Sequence, residues 1–251
     1  MSKFISKQSV ASWYAMTALL ATFLVGQVIL WFFPDGSSMG TSLLFILMNL
    51  IPMIVAAVFS LVLSEVNSLG EFFKKVFLQK ESSLSWILAF FIPVIYYGIS
   101  ILLMNVRFAG NSFLAFFLYF PWTLLYGGLE EVGWRWFLQD HLSFSKHFIP
   151  KMMLLSIVWF LWHIPIYQLP WITAGSSNYL IFYLMILGNT FLFGALKEYS
   201  KGAVPCILAH MLIDSLAVLM LVQSSLPQII LLVIFEILVA SWLVAARKSE
   251  K

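Results

Sequence analysis

The fold is decided by "SFLAFFLYFPWTLLYGGLEEVGWRWF", residues 112–137. The part from 112 to 129 carries no charge, and Glu130, Glu131 and Arg135 then follow in close succession. An uncharged run of this length predicts a membrane-crossing helix, because about 20 mainly apolar residues span the hydrocarbon core. Ionisable residues at such depth cost from about 2.5 to more than 10 kcal/mol each, so the cluster predicts a functional site inside the membrane.

The composition supports the same interpretation for the whole chain. Of the 251 residues, 62% are hydrophobic and 10% are charged, whereas soluble proteins carry roughly 25% charged residues. We therefore predict an all-α, polytopic membrane protein with about eight transmembrane helices, both termini cytoplasmic, and a single integral-membrane domain over residues 1–251 with its motif core at 126–214. The predicted spans are 11–33, 41–64, 86–104, 112–138, 151–168, 179–196, 203–222 and 226–246.

The positive charges orient these helices. Twelve of the 14 lysines and arginines fall at one end of the predicted spans, Arg107 alone falls at the other end, and Arg135 lies inside. The positive-inside rule places both termini in the cytoplasm. The net charge of +3 is then an orientation signal and does not indicate a nucleic-acid partner. Short loops without organelle signals favour a multi-pass protein of a bacterial plasma membrane. Residues 70–80 predict either a helix on the cytoplasmic surface or a linker.

Further ionisable residues lie within other predicted spans: His163, His210, Asp214 and Glu236. Counted from the nearest charge at the lysine-rich end, Glu130, His163 and His210 lie roughly 15, 18 and 13 Å deep, at about 1.5 Å per helical residue. Three separate helices thus bring polar groups to nearly the same level, which indicates one shared site. Glu236 lies roughly 17 Å deep.

The spacings within helices assign these groups to faces. Glu131 and Arg135 stand at i, i+4, the separation at which a carboxylate and a guanidinium pair on one helix face. Glu130 is rotated by about 100° from Glu131 and is left free to face the histidines. His210 and Asp214 also stand at i, i+4, so both side chains can point into one cavity.

A glutamate and two histidines around one cavity can hold and activate a water molecule. The carboxylate of Glu130 would take the proton of the water, while His163 and His210 either bind a divalent metal such as Zn²⁺ or stabilise an oxyanion. The sequence leaves open whether Glu130, His163 and His210 ligate a metal or work without one. Either chemistry predicts hydrolysis, most simply of a peptide bond.

Three motifs in order resemble those of a known family. "EEVGWR" (residues 130–135) matches the EExxxR motif of the CPBP family, the CAAX proteases and bacteriocin-processing enzymes, also called the Abi family. "WFLWH" (159–163) resembles its FxxxH motif, with Trp159 in place of phenylalanine. "HMLID" (210–214) resembles its HxxxN motif, with Asp214 in place of asparagine. The eight-span architecture is similar as well.

The resemblance implies an intramembrane endopeptidase whose site opens toward the cytoplasm. By this resemblance Glu130 activates the water, His163 assists it, and His210 with Asp214 stabilises the oxyanion. The substrate would be a membrane-associated peptide or a lipid-modified protein, and the roles implied are peptide maturation and self-immunity to bacteriocins. Because a carboxylate donates a hydrogen bond only when protonated, Asp214 departs from the family in a way that favours a metalloprotease slightly.

Four residues outside the catalytic set are expected to support the site: the pair of Glu131 and Arg135, and also Trp159 and Glu236. Trp159 keeps an aromatic wall, and Glu236 is either a partner for Arg135 or an outer residue of the site. Two other classes of function stay open. Membrane-embedded Glu, Arg and His residues also build proton-coupled transporters, although no repeated halves are visible in the sequence. A non-catalytic immunity or scaffold protein would keep the same fold.

Overall fold

The computed structural model describes residues 6–34, 36, 38–169, 171–172, 178–222 and 225–249. Over these residues the predicted all-α membrane fold is confirmed, with one small β-ribbon added to it. Two π-helical turns, Leu124–Gly128 and Val132–Leu138, connect α5 to α6. The elements in chain order are α1 (Lys7–Phe32), α2 (Met39–Val62), α3 (Leu69–Phe77), α4 (Ser83–Leu102), β1 (Val106–Phe108), α5 (Phe113–Thr123), α6 (Gln139–His141), α7 (Phe148–Tyr167), α8 (Tyr179–Tyr199), α9 (Val204–Ala217), β2 (Met220–Val222) and α10 (Leu226–Ser249).

The number of full-length spans is smaller than the eight predicted. In the described part of the chain, six helices (α1, α2, α4, α7, α8 and α10) are long and apolar enough to cross a membrane, and the bent segment 113–141 makes a seventh. The predicted span 203–222 is α9, which ends at Ala217 after 14 residues. At about 1.5 Å per residue it measures about 21 Å, shorter than the hydrocarbon core of about 30 Å. Hydropathy could not show this, because the residues after the helix are also apolar.

The segment with the EExxxR motif is bent rather than straight. Phe113–Gly128 and Val132–His141 meet at 46°, with the π-helical turns on both sides of the bend. Such turns widen the helix locally and are frequent at functional sites. Gly128 lets α9 approach closely here, because a Cβ at this position would collide with Met211 and stand 3.1 Å from Ile207. The bend places Glu130 and Glu131 at the point where α9 packs against this segment.

The β-ribbon was not predicted from the sequence. β1 and β2 pair antiparallel, with Val106 opposite Val222 and Phe108 opposite Met220. The two strands follow α4 and α9, so the ribbon lies at the helix ends opposite the lysine-rich ends. Three-residue strands carry too little periodicity to be recognised, and their pairing depends on where α4 and α9 end.

The stretch 70–80 forms a helix and not a linker. In α3, Ser68 accepts a hydrogen bond from the backbone N–H of Glu71, and Phe72 and Val76 are buried. Glu71 and Lys75 form an ion pair of 2.9 Å on the outer face. The backbone N–H of Asn67 and then Lys75 lower the pKa of Glu71 to about 2.

The core of the bundle is built around α8. Two thirds of its apolar window is buried, against less than half in each of the other long helices that the structure describes. It packs along α10 and α7 and also touches α4 and α9. A central helix of this kind presents groups to every neighbour, and α8 supplies one wall of the polar site described below.

Candidate active site

Glu130 lies at the bend between the two π-helical turns and is 1% exposed. Its Oε1 accepts a hydrogen bond of 3.0 Å from the indole Nε1 of Trp159. Its Oε2 is buried and has no hydrogen-bond partner among the described residues. One oxygen of this carboxylate is therefore fixed by the protein, and the other is available to a bound group.

Glu131 is held by two cationic or polar side chains. Its Oε2 accepts a hydrogen bond of 2.8 Å from Nε of Arg135, and both side chains are completely buried. This i, i+4 pair was predicted from the spacing. The sequence did not predict that Oε1 of Glu131 lies 2.8 Å from Nδ1 of His210. The same Nδ1 lies 3.6 Å from Oε1 of Glu130, so both glutamates of the doublet face this histidine.

Arg135 has partners on three sides. Its Nη1 donates to the carbonyl of Thr190 over 3.4 Å, and its guanidinium lies 4.7 Å from the ring centroid of Trp159 and 5.6 Å from that of Phe193. A guanidinium over aromatic faces gains a cation–π attraction that increases as water is removed. The expectation that Glu236 pairs with Arg135 is wrong, because the buried carboxylate that neutralises this guanidinium is Glu131.

His163 is oriented by its own helix. Its Nδ1 lies 2.8 Å from the carbonyl of Trp159, and a carbonyl only accepts, so Nδ1 carries the hydrogen. In a neutral imidazole this leaves Nε2 as an acceptor. His163 lies on the wall of the same cavity as His210. No hydrogen bond joins it to Glu130 within the described part of the chain.

His210 and Asp214 share one face of α9, as predicted. Nε2 of His210 lies 3.5 Å from Oδ2 of Asp214, and the imidazole stacks on Phe193 with ring centroids 5.4 Å apart. Gly127 makes this arrangement possible, since a Cβ there would collide with Asp214 and come within 3.1 Å of His210. The carboxylate of Asp214 reaches the cavity, with 35% of its side chain exposed.

One group of residues could hold a metal ion. Ligand atoms of Glu130, Glu131 and His210 all lie within 4.8 Å of one another. This differs from the predicted set, because His163 is outside the group and Glu131 is inside it. Oε2 of Glu130 fits a ligand role, being buried and without a partner, and carboxylate and imidazole are accepted ligands of Zn²⁺. Glu131 fits less well, since Arg135 already neutralises it.

His163, His210 and Asp214 line a cavity of about 660 Å³. Asn189 of α8 lines it too, and its Oδ1 is buried without a partner among the described residues. Asn189 was not predicted from the sequence, because the expected site consisted of ionisable residues and this amide is uncharged. The position of Asn189 in the sequence could have predicted its place in the site. It stands eight residues before Lys197, or roughly 12 Å deep, which is close to the level of the other site residues.

The cavity extends toward the β-ribbon. Arg107 of β1 and Leu221 and Val222 of β2 form part of its wall. These residues lie at the helix ends opposite the lysine-rich ends. The predicted cytoplasmic termini and the predicted cytoplasmic opening are therefore incompatible in this structure, because the start of α1 at Lys7 and the end of α10 at Ser249 lie at the end of the bundle opposite the cavity mouth.

Glu236 lies apart from these contacts. It is completely buried in α10, and neither carboxylate oxygen has a partner among the described residues. Its carboxylate presses against Gly188 of α8, where a Cβ would collide with it. Gly188 precedes Asn189 in the chain, so Glu236 lies behind the helix that forms a cavity wall. Its predicted supporting role stays a prediction.

Apolar helices around buried carboxylates, histidines and an arginine define a multi-pass membrane protein with a polar site inside its bundle. Residues 112–216 match the family described as Rce1-like, type II CAAX prenyl endopeptidase. The match contains all three motifs, so the predicted resemblance to the CPBP family of CAAX proteases is confirmed over this segment. No curated protein matches the chain as a relative.

Proposed function

We propose that the protein is an intramembrane endopeptidase that hydrolyses a peptide bond in a membrane-associated peptide or lipid-modified protein. The observation that carries this proposal is the state of Glu130. One of its oxygens is fixed by Trp159, while the other is buried without a partner in the described part of the chain. A carboxylate held in this way can accept a hydrogen bond from a water molecule and take its proton, as a general base does.

The neighbouring groups keep Glu130 in this role. Glu131 is engaged by Arg135 and His210, at 2.8 Å each. The guanidinium is therefore paired through Nε with Glu131 and makes no hydrogen bond to Glu130 among the described residues, where its Nη2 is buried without a partner. The doublet divides into one carboxylate that organises the site and one that reacts, as the helical spacing predicted.

The reaction that follows is ordinary amide hydrolysis. The water oxygen adds to the carbonyl carbon as Glu130 takes a proton, and the C–N bond then breaks as that proton passes to the leaving amine. His163 assists through Nε2, the nitrogen that its hydrogen bond to Trp159 leaves as an acceptor. His210 and Asp214 stabilise the developing oxyanion from α9, which for Asp214 requires its protonated form.

A divalent metal is an alternative source of activation at the same place. Glu130, Glu131 and His210 would hold it, and the metal would supply Lewis acidity to the water or the carbonyl group. We propose the metal-free mechanism and the metal-dependent mechanism as alternatives, since Glu130 is needed in each. Dependence on a chelator distinguishes them.

The substrate proposal follows from the family and from the surroundings of the site. The matching family is described by its action on CAAX prenyl proteins, and the bundle that holds the site is apolar. We therefore propose substrates anchored in the bilayer, with peptide maturation or bacteriocin self-immunity as the roles and a bacterial plasma membrane as the location. No nucleic-acid partner is proposed.

The test compares Glu130→Gln with Glu236→Gln in the purified protein. Both changes replace a buried membrane glutamate by an isosteric amide, but Glu236 has no contact with Glu130, His163 or His210 among the described interactions. With membrane-anchored and prenylated peptides as substrates, Glu130→Gln is expected to lose about 10²–10⁴-fold in kcat, the usual contribution of a general base. Glu236→Gln is expected to keep most of the activity.

A strong chelator is added to each protein in parallel. Loss of wild-type cleavage that returns with Zn²⁺ would support the metal form, and unchanged cleavage would support the metal-free form. If Glu130→Gln cleaves as well as the wild type, or if the wild type cleaves none of the peptides, the endopeptidase proposal is refuted. A transporter or a non-catalytic immunity protein would then be the better interpretation.

A further inference from the structure

The site cavity has its mouth at one end of the bundle. From Trp159, His163 and His210 at its base, the wall continues through Tyr167 to Arg107 and the β-ribbon. Arg107 is exposed, so this end of the cavity is in contact with the surroundings. Every wall residue beyond the site lies on the ribbon side of it, along the helix ends that carry no lysine.

The opposite side of the site is closed by packed side chains. Arg135, Met152 and Phe191 are completely buried between the site and the lysine-rich ends. Gln139 is buried there as well and donates a hydrogen bond of 3.0 Å to the carbonyl of Gly194. These packed side chains lie between the site and the lysine-rich end in the part of the chain that the structure describes.

A second cavity could offer another route, but it does not reach the site. It measures about 970 Å³ and lies between α2, α3, α5 and α9. Its wall is apolar and includes Phe72, Leu129, Ile207 and Met211, but none of Trp159, His163, His210 or Asp214, which line the first cavity; Glu130 lies in the wall of neither. The chain segment at Gly128, packed against Ile207 and Met211, separates it from the site.

The charges decide which membrane face each end of the bundle occupies. Among the residues that the structure describes, ten lysines and arginines lie at the ends away from the ribbon, and Arg107 is the one such residue at the ribbon end. An excess of this size in short loops sets the cytoplasmic side. The ribbon and the cavity mouth are then on the extracytoplasmic side.

We propose that the active site receives its substrate from the extracytoplasmic face of the membrane. The side on which the cavity opens follows from geometry and charge alone. That the molecule entering it is a substrate rests on the proposed endopeptidase function. The substrate is then a peptide segment that has already crossed the membrane, so a translocation reaction must supply it. This replaces the cytoplasmic access that the family resemblance implied.

The test is cysteine accessibility, which needs no enzymatic activity. In a Cys206→Ala background, which removes the single native cysteine, four single-cysteine variants are made. Ser112→Cys reports the ribbon end, Lys248→Cys reports the lysine-rich end, and Met185→Cys reports the cavity wall. Ala217→Cys is a second cavity position. Intact cells are treated with a small, membrane-impermeant methanethiosulfonate, and the remaining thiols are counted after lysis.

In intact cells we expect the reagent to block Ser112→Cys and at least one cavity cysteine completely, so that no free thiol remains at these positions after lysis. Lys248→Cys should be blocked only in permeabilised cells. Inside-out vesicles should give the reverse pattern. The proposal is overturned if Lys248→Cys reacts in intact cells, or if the cavity cysteines react only from the side of Lys248. Absence of reaction at both cavity positions from either side also overturns it, since the cavity would then be closed. Failure of the endopeptidase function would leave all these patterns unchanged.

Discussion

The hydrogen bond from Trp159 to Glu130 provides the most discriminating prediction. Trp159→Phe restores the phenylalanine that is usual in the family motif and keeps an aromatic wall. It removes the indole N–H that lies 3.0 Å from Oε1 of Glu130. Oε1 of Glu130 would then lose this donor, and the orientation of the buried carboxylate would no longer be fixed by Trp159. We therefore expect the phenylalanine to lower activity here, although it is the usual residue in the family motif.

The size of the effect follows from the kind of hydrogen bond. A bond to a charged group contributes about 1.5–3 kcal/mol. If this contribution is lost in the transition state, kcat falls by about 10- to 150-fold, at one factor of ten for each 1.36 kcal/mol. KM should change little, because Glu130 acts on the water and not on the bulk of the substrate.

The helix offers a matched control three residues further on. Trp162 is also buried, and its Nε1 donates to Oγ1 of Thr22 over 2.9 Å, away from the site. Trp162→Phe removes the same atoms and a neutral hydrogen bond of about 0.5–1.5 kcal/mol. Both variants should therefore lower the thermal midpoint, Trp162→Phe by no more than Trp159→Phe.

The assay measures kcat and KM on one membrane-anchored peptide, together with thermal unfolding in detergent. A loss of kcat confined to Trp159→Phe supports the role of the indole N–H. Unchanged kcat in this variant would refute the reasoning, and so would equal losses in both variants, which would point to a general effect on stability.

Three further perturbations test other parts of the structure. Gly127→Ala should abolish cleavage while expression stays normal, because the added Cβ would collide with the carboxylate of Asp214 and approach the imidazole of His210. Gly98→Ala is the control: a Cβ there meets no atom within 4 Å, so this variant should remain active in the same assay. Arg135→Met leaves Glu131 buried without its guanidinium and should lower the free energy of unfolding by about 3–5 kcal/mol; an unchanged thermal midpoint would contradict this. Glu71→Gln should reduce stability at pH 7, because a backbone N–H and then a lysine hold the pKa of Glu71 at about 2. A carboxylate whose pKa is lowered by folding stabilises the fold above its ordinary pKa and loses this contribution as the pH falls. The difference between Glu71→Gln and the wild type in thermal unfolding should therefore disappear between about pH 4.5 and 2. A difference that persists at pH 2 would contradict this prediction.

Local patterns were enough to predict the spacing-dependent parts of the site. The pair of Glu131 and Arg135, and the shared face of His210 and Asp214, follow from helical geometry within one segment. The contact between Glu131 and His210 does not, because 79 positions separate them and no local period relates their two helices. The indole of Trp159 could be recognised as an aromatic wall, but its donor role depends on where α7 meets the bend at Glu130.

The sequence by itself determined the membrane class, the helical fold, the family resemblance of residues 112–216 and the level at which the polar residues lie. These properties depend on composition, on apolar run lengths and on spacings within single helices. The tertiary structure decided the shortness of α9, the β-ribbon, the inclusion of Glu131 in place of His163 among the possible metal ligands, and the side on which the cavity opens. The reason is physical: hydropathy measures the cost of placing a residue in lipid, whereas these features depend on how separate helices pack, and packing contacts join residues that are distant in the chain.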